Sequence, residues 1–326
     1  MDVASRYHMH MKNDIDGTRI AVLVPCYNEA TTVGKVVADF RRVLPTATVY
    51  VFDNNSTDAT TAQALAAGAM VRAVVQQGKG HVIRRMFADV EADIYVMVDG
   101  DGTYDPDAAP ALVRTLVSRG LDMAVGSRVS RDSNAYRPGH RLGNALLTGA
   151  VAVLFGDRFT DMLSGYRVFS RRYAKSFPVG ATGFEIETEL TVHALQLHMP
   201  VAEVEVAYFA RPEGSTSKLN TWRDGARVFY TIVKLFKNER PLAFFGLGFL
   251  VSGAISVLLA VPLFQEYLRT GLVPRFPTAI LCTGLMLLGM ILLACGLVLD
   301  TVTRGRVEAK HLAYLAERGP RAADGG

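Results

Sequence analysis

Two long stretches without a charged residue, 242–264 and 277–299, constrain the fold of this chain more than any other feature. Each has 23 residues, which as an α-helix would extend about 34 Å and cover a hydrocarbon core of about 30 Å. With only a short connection between them, they predict a hairpin of two transmembrane helices. A pair of buried core helices is the weaker alternative, because two adjacent stretches would both have to avoid every charge.

The basic residues beside these stretches predict how the hairpin is oriented. Lys and Arg are enriched on the cytoplasmic side of membrane helices. The connecting loop holds only Arg269 and Arg275, whereas the outer flanks hold Arg223, Arg227, Lys234, Lys237, Arg240, Arg304, Arg306 and Lys310. We therefore expect a multi-pass protein of a bacterial plasma membrane, with the domain at 19–220 and both termini in the cytoplasm.

The remaining segments outside the hairpin and the domain at 19–220 also allow predictions. In 221–240 apolar and basic residues alternate at helical spacing, which predicts an amphipathic helix that lies on the lipid bilayer or packs on its own domain. Residues 1–18 lack an apolar core and predict a flexible N-terminus, neither a signal peptide nor an anchor; 301–326 is a cytoplasmic tail. The net charge of +4 and the absence of a basic run before residue 210 exclude nucleic acid as the expected partner.

Residues 19–220 show strands alternating with helices. Short runs rich in β-formers occupy 19–25, 48–52, 71–75, 94–98 and 122–126, and the apolar residues between 33 and 43 recur at helical spacing. This order predicts an α/β domain with a doubly wound, mostly parallel sheet. Because ligands bind beyond the carboxyl ends of such strands, we expect the chemistry in the turns after 25, 52 and 98.

The acidic turn DGDGTYD at 99–105 is the strongest single motif. Asp99 and Asp101, two residues apart in a glycine-rich turn, can face one hard cation, and Mg²⁺ or Mn²⁺ prefers such oxygen ligands together with diphosphate oxygens. An EF-hand is excluded because its sixth position is Tyr104 and its twelfth is Pro110. A solvated acidic turn without a ligand is the alternative.

Three further polar residues follow strands or glycines. Lys79 lies between two glycines but not in a P-loop, since His81 replaces the required Ser or Thr; it pairs with phosphate or is a surface charge. Asp53 and Asn54 follow the second strand and either hydrogen-bond a nucleotide base or form an Asx-turn that caps the next helix.

Six motifs, taken in order, resemble the family 2 glycosyltransferases of GT-A fold. The resemblance is greatest to the branch that glycosylates polyprenyl phosphate, which includes dolichol-phosphate mannose synthases and bactoprenol glucosyltransferases. The motifs are VPCYNE at 24–29, DNNSTD at 53–58, the acidic turn, GSR at 126–128, SGYRVF at 164–169 and RPEGSTSK at 211–218. The sequence differs from the family at Asn54, where a second Asp is usual, and at Thr103, where many dolichol-phosphate mannose synthases have Gln.

The resemblance implies a role for each matching residue. The nucleotide-sugar donor would contact Pro25, Tyr27, Glu29, Asp53, Asn54, Lys79 and Asp99, and Asp99 with Asp101 would hold Mg²⁺ or Mn²⁺. The acceptor phosphate would meet Ser127, Arg128, Arg141, Arg211 and Lys218, with Asp101, Arg128 and Arg141 as the catalytic residues. By resemblance, the donor is UDP-glucose-like and the acceptor is undecaprenyl phosphate; association with a second copy of the chain stays open.

The chemistry of the acceptor decides whether a general base is needed. A phosphate monoester, with a second pKa of about 6, is mainly a dianion at pH 7 and already nucleophilic, so we expect inverting transfer without a carboxylate base. Glu187 and Glu189 could contact sugar hydroxyls, although a solvated helix face is the favoured interpretation. Arg128 and Arg141 could instead form structural ion pairs.

Three other functions would leave specific marks in the sequence. A processive polysaccharide synthase would carry a QxxRW motif, and Trp222 is preceded by Thr221 rather than Arg. A transferase to a lipid or glycan hydroxyl would need a general base and is harder to exclude from the sequence. A catalytically inactive, membrane-tethered nucleotide-binding protein is disfavoured by the intact Asp99 and Asp101 pair.

Overall fold

The chain forms two compact units in a computed structural model. One comprises 1–226 and 309–326, and the other comprises 227–308. The structure describes residues 17–129, 146, 148–153, 159–178, 180, 185–209 and 221–319, and for 221–228 it describes the backbone alone. The first unit contains the sheet, and the second contains both uncharged stretches, 242–264 and 277–299.

The sheet of the first unit has seven strands. They are β1 (Ile20–Cys26), β2 (Thr48–Asp53), β3 (Met70–Ala73), β4 (Ile94–Met97), β5 (Met123–Val129), β6 (Arg167–Ser170) and β7 (Val201–Ala207). Their order is β3-β2-β1-β4-β6-β5-β7, and every neighbouring pair is parallel except the two that involve β6. The expected GT-A type α/β fold with a mostly parallel sheet is confirmed.

Helices cover the sheet and complete its core. They are α1 (Val33–Val43), α2 (Thr60–Ala66), α3 (Lys79–Asp89), α4 (Ala109–Ser118), α5 (Arg171–Ser176) and α6 (Ile186–Gln196). The apolar stripe of α1 is fully buried at Val33, Val36, Val37 and Phe40. Each such side chain stabilises the fold by about 1.5–3 kcal/mol. β1 is buried along its length except at Pro25, as expected for a strand between two helical layers.

Neither β6 nor β7 was predicted from the sequence, and β6 is the more important of the two for the candidate site. It has only four residues, all buried, and it runs antiparallel between β4 and β5. A run this short carries no periodic signal that separates it from a loop. Its direction matters for function: the start of β6 lies at the sheet edge where β4 and β5 end, and therefore brings the SGYRVF motif to that edge.

The second unit contains the apolar helices α8 (Pro241–Thr270) and most of α9 (Phe276–Ala316), which follow α7 (Thr221–Glu239). Both are long and apolar enough to cross a membrane, with mean hydropathy 2.3 and 2.5 in their most apolar windows. Close packing occurs at glycines, with Gly289 against Phe249. The Ser256 hydroxyl donates a 2.8 Å hydrogen bond to the carbonyl of Cys282. Two long apolar helices that fit a hairpin are thus present.

The end of α9 belongs to the unit that contains the sheet. We call residues 309–317 the C-terminal segment. Tyr314 Oη donates a 2.8 Å hydrogen bond to Asp122 Oδ2, and its ring lies 4.7 Å from the guanidinium carbon of Arg172. Lys310 Nζ donates to Gln196 Oε1 at 2.7 Å. These contacts make the C-terminal segment part of the sheet-containing unit.

Candidate active site

The acidic turn occupies the carboxyl end of β4. Asp101 is 5% exposed, and its Oδ1 accepts hydrogen bonds from the backbone N–H of Thr103 at 3.2 Å and from the Thr103 hydroxyl at 2.7 Å. The Thr32 hydroxyl donates to the carbonyl of Gly100 at 2.7 Å and ties the turn to the start of α1. The residue that differs from the family at 103 therefore orients the Asp101 carboxylate.

Lys79 links the acidic turn to α6. Its Nζ lies 2.6 Å from Asp99 Oδ1 and 2.6 Å from Glu187 Oε1, with only 13% of its side chain exposed. Burial alone disfavours the charged amine, but the Asp99 and Glu187 carboxylates outweigh it and raise the pKa of Lys79. Lys79 is therefore a buried cation held between two carboxylates, and its interpretation as a surface charge is wrong.

Glu187 is the site residue that sequence reasoning undervalued. It was expected on a solvated helix face, but it is 5% exposed, and no hydrogen bond reaches its buried Oε2 among the described residues. The available sequence signal is composition, because Glu187 and Glu189 are the only acidic residues in IETELTVHALQ and the rest is largely apolar or small. Nine of the eleven residues of α6 are buried, so the helix has no solvated face for Glu187.

The two aspartates suit a divalent cation that brings other ligands with it. No group of three or more His, Cys, Asp or Glu side chains that could hold a metal occurs within the described part of the chain. The backbone at Gly165 borders the Asp99 carboxylate so closely that a Cβ there would lie 2.2 Å from Asp99 Oδ2. Two carboxylates plus diphosphate oxygens form a ligand set that Mg²⁺ accepts.

The loops after β1 and β2, which carry the residues predicted to contact the donor, lie beside each other next to the acidic turn. The Asn28 backbone N–H donates to Ser56 Oγ at 2.9 Å, and Asn28 Oδ1 accepts from the backbone N–H of Thr57 at 2.7 Å. Asp53 Oδ1 accepts from the backbone N–H of Ser56 at 3.1 Å, a bond within the loop that does not cap the next helix, whose N-cap is Ala59. The structure thus brings together the ends of β1 and β2, where the candidates Pro25, Tyr27, Glu29 and Asp53 lie.

Asn54 does not fit the role of a base-binding residue. Its amide donates to the carbonyls of Val74 and Gln76 at 3.0 and 2.7 Å, and its Oδ1 accepts from the backbone N–H of Gly78 at 2.7 Å. Because these bonds use both amide hydrogens and the residue is 4% exposed, its side chain holds the loop that leads to Lys79. These bonds favour a structural role for this side chain, and its direct contact with the donor stays a prediction.

The acceptor candidates are only partly described. Arg128 forms a bidentate ion pair with Asp161, in which Nε and Nη2 each lie 2.7 Å from a carboxylate oxygen. The structural ion pair that the sequence left open is therefore present. The Ser127 and Thr160 hydroxyl oxygens are 3.4 Å apart. The other candidates, Arg141, Arg211 and Lys218, lie outside the described residues.

A sheet of this order, with an acidic turn at the carboxyl end of its central strand and a buried lysine beside it, defines a glycosyltransferase of GT-A fold. The chain belongs to the family described as Glycosyl transferase family 2, whose sequence profile matches residues 21–177. The resemblance expected from the motifs, including the polyprenyl-phosphate branch, is confirmed by its relatives.

The regions that match this chain cover most of each relative's own length. Protein RfbJ of Shigella flexneri is 56% identical over 37% of this chain and 95% of its own. Glycosyltransferase AglJ of Haloferax volcanii is 33% identical over 87% of this chain and 93% of its own. A dolichyl-phosphate hexose transferase of the same organism is 27% identical over 68% of this chain and 95% of its own.

Solved structures confirm the fold. Glucosyl-3-phosphoglycerate synthase from Mycobacterium tuberculosis, solved with Mn²⁺, UDP-glucose and phosphoglyceric acid, has a TM-score of 0.57 and 24% sequence identity. The match covers 70% of this chain and 82% of that one. At this identity the likeness shows the shared architecture alone.

Proposed function

We propose that this glycosyltransferase moves a hexose from a nucleoside diphosphate sugar, UDP-glucose-like, to polyprenyl phosphate, with inversion at the anomeric carbon. The observation that carries the proposal is the placement of opposite charges at one edge of the sheet. The acidic turn lies at the end of β4, and Arg128 lies near the end of β5, parallel to β4. One group suits a metal-bound diphosphate and the other suits an anionic acceptor.

On the donor side, the loops after β1 and β2 hold the nucleoside, and Asp99 and Asp101 hold Mg²⁺ or Mn²⁺ together with the diphosphate. When bound, the cation would neutralise charge that develops on the leaving diphosphate. The buried Glu187 Oε2 supports a contact with a sugar hydroxyl, because a buried carboxylate oxygen favours a hydrogen-bond donor. Lys79 fixes the relative positions of Asp99 and Glu187.

On the acceptor side, the nucleophile is the phosphate oxygen itself. A phosphate monoester with a second pKa of about 6 is mostly dianionic at pH 7, so Arg128 has only to orient it against the anomeric carbon. The carboxylate of Glu187 is bound to Lys79, which supports a mechanism without a carboxylate base. Arg141, Arg211 and Lys218 complete the acceptor site in this proposal.

The two apolar helices support a reaction at a membrane surface. We infer that α8 and α9 form a transmembrane hairpin, that α7 lies at the bilayer surface, and that the sheet-containing unit and both termini face the cytoplasm. The lipid chain of the acceptor then stays in the bilayer while its phosphate reaches the site. The proposed product is a polyprenyl-phosphate sugar used for glycans of the cell envelope.

The first test offers labelled UDP- and GDP-sugars to purified protein with undecaprenyl phosphate and Mg²⁺ or Mn²⁺. We expect one donor to give a chloroform-soluble product. Asp101→Asn should abolish it because the substitution removes a carboxylate from the acidic turn. Asp107→Asn is the matched control, since Asp107 is an exposed aspartate near the same turn whose carboxylate pairs with Arg42.

The acceptor and the cation are tested in the same assay. Chelation with EDTA should stop the transfer, and added Mg²⁺ or Mn²⁺ should restore it. Undecaprenol, offered in place of its phosphate, should give no product. Transfer to the alcohol in preference to the phosphate would contradict the proposed acceptor and favour a hydroxyl-directed enzyme.

A further inference from the structure

Arg128 is held in a single orientation by the carboxylate of Asp161. Arg128 Nε is 2.7 Å from Asp161 Oδ2, Nη2 is 2.7 Å from Oδ1, and the Arg128 backbone N–H donates to Oδ2 at 3.2 Å. Only 15% and 9% of the two side chains are exposed. Two parallel N–H···O bonds to a planar guanidinium fix both its direction and its plane.

Asp161 is itself held by a second carboxylate. Glu203 on β7 accepts hydrogen bonds from the backbone N–H groups of Thr160 at 2.9 Å and Asp161 at 3.0 Å, and from the Thr160 hydroxyl at 2.8 Å. The guanidinium carbon of Arg128 also lies 5.5 Å from the ring centre of Tyr208. Asp161 and Tyr208 therefore contact the Arg128 guanidinium directly, and Glu203 holds the backbone that carries Asp161.

The negative charge of Asp161 distinguishes two possible roles, orienting Arg128 or attracting the acceptor phosphate. A carboxylate beside an arginine that meets a phosphate reduces the positive potential felt by the phosphate. Burial would raise the pKa of Asp161, but its bonds to Arg128 lower it, so Asp161 stays charged. The gain from Asp161 must therefore come from geometry, because on charge alone it would weaken phosphate binding.

We propose that Asp161 is a positioning residue for the acceptor, holding the Arg128 guanidinium in the orientation that receives the lipid phosphate. This inference rests on the proposed function, in which Arg128 meets that phosphate. Glu203 supports the same orientation one step further from the substrate, through the backbone of Thr160 and Asp161.

The sheet supplies a matched control at the opposite end of β5. Asp122, just before this strand, forms a bidentate pair with Arg172, in which Nε and Nη2 lie 2.5 and 2.9 Å from its carboxylate oxygens. Both pairs are bidentate Arg–Asp pairs at an end of β5, but Asp122 lies at the end away from the acidic turn. If Asp161 had only a structural role, its replacement should therefore have the same kinds of effect as replacement of Asp122.

The experiment compares Asp161→Asn with Asp122→Asn in the full-length protein. For Asp161→Asn we expect kcat/KM for undecaprenyl phosphate to fall on the order of 100-fold, the cost of a misplaced reacting group. Donor binding, measured calorimetrically with the nucleotide-sugar and Mn²⁺, should be unchanged. Asp122→Asn, or Arg172→Lys if that variant does not fold, should lower the melting temperature without this split between acceptor and donor.

Three outcomes would overturn the inference: equal loss of donor and acceptor affinity in Asp161→Asn, tighter use of the acceptor by that variant, or the same split in the Asp122 control. If Asp161→Asn does not fold, Glu203→Gln decides, with a rise in KM for the lipid phosphate alone as the supporting result and its absence as the overturning one. Failure of the wild-type protein to use lipid phosphate would instead defeat the proposed function.

Discussion

A single lysine links the acidic turn to α6. Lys79 contacts Asp99 on the turn after β4 and Glu187 on α6, two residues 88 positions apart in the sequence. Without this cation, the buried Glu187 carboxylate and the partly exposed Asp99 carboxylate would both lose their ion-pair partner, and loss of one partner from a buried ion pair costs up to about 3–5 kcal/mol. Lys79 thus combines a structural role with its proposed place beside the diphosphate.

Gly165 gives a test of the space around Asp99. Gly165→Ala would place a Cβ 2.2 Å from Asp99 Oδ2, so the carboxylate must move. We expect kcat/KM to fall on the order of 100-fold while the protein stays folded. Gly34→Ala, where the nearest atom is 3.8 Å away, is the control on α1, and a similar loss in both variants would contradict the expectation.

His193 predicts acid sensitivity of the sheet-containing unit. It is 1% exposed, and burial, reinforced by Lys310, lowers its pKa to about 3. Below pH 6.5 the unfolded chain binds a proton that the folded chain does not, so stability falls as pH drops from 6.5 toward 3, by up to about 1.4 kcal/mol per pH unit.

His193→Gln should flatten this pH dependence, measured as melting temperature between pH 6.5 and 5. The exposed His198 provides the control variant, His198→Asn, which should keep the slope of the wild-type protein. An unchanged slope in His193→Gln would show that other groups cause the acid sensitivity.

At the scale of elements, the C-terminal segment stabilises the start of β5. Asp122 is fully buried, and its carboxylate accepts hydrogen bonds from Tyr314 Oη and from Ser170 Oγ at 2.8 and 2.7 Å. Arg172 adds the bidentate ion pair. A buried carboxylate needs such donors, because each unmade hydrogen bond to it leaves a desolvated charge.

Tyr314→Phe should therefore destabilise the sheet-containing unit by roughly 1–2 kcal/mol, since it removes only the hydroxyl donor. The melting temperature should fall by about 2–6 °C, with activity retained below the transition. Tyr230→Phe, at a tyrosine that is 66% exposed, should leave the melting temperature unchanged. Equal behaviour of both variants would mean that the Tyr314 contact contributes nothing.

The sequence predicted those elements whose signal lies within a short run of consecutive residues. The apolar runs that became β1 and β2 and the helical stripe of α1 are local signals, and the acidic turn follows its strand directly. The strand β6 and the roles of Glu187 and Asp161 were not predicted. They depend on pairing between distant segments, such as Arg128 with Asp161, and no local pattern specifies such a pair.

At the scale of the whole molecule, the charge bias around the two apolar helices predicts the topology. In a cysteine-free background, Leu272→Cys in the connecting loop should react with a membrane-impermeant maleimide added to intact cells. Arg119→Cys, on the exposed surface of the sheet-containing unit, should react only after the cells are opened. The reverse pattern, or reaction of both in intact cells, would contradict the cytoplasmic placement of the active site.

The course of α9 has a practical consequence for producing the enzyme in water-soluble form. Truncation of the protein after residue 240 would remove the apolar helices. It would also remove Tyr314, whose side chain contacts Asp122. The shortened protein would then expose a surface that is normally covered. A protein in which a flexible linker joins residue 226 to residues 309–319 should be more stable and aggregate less in water than the truncated protein.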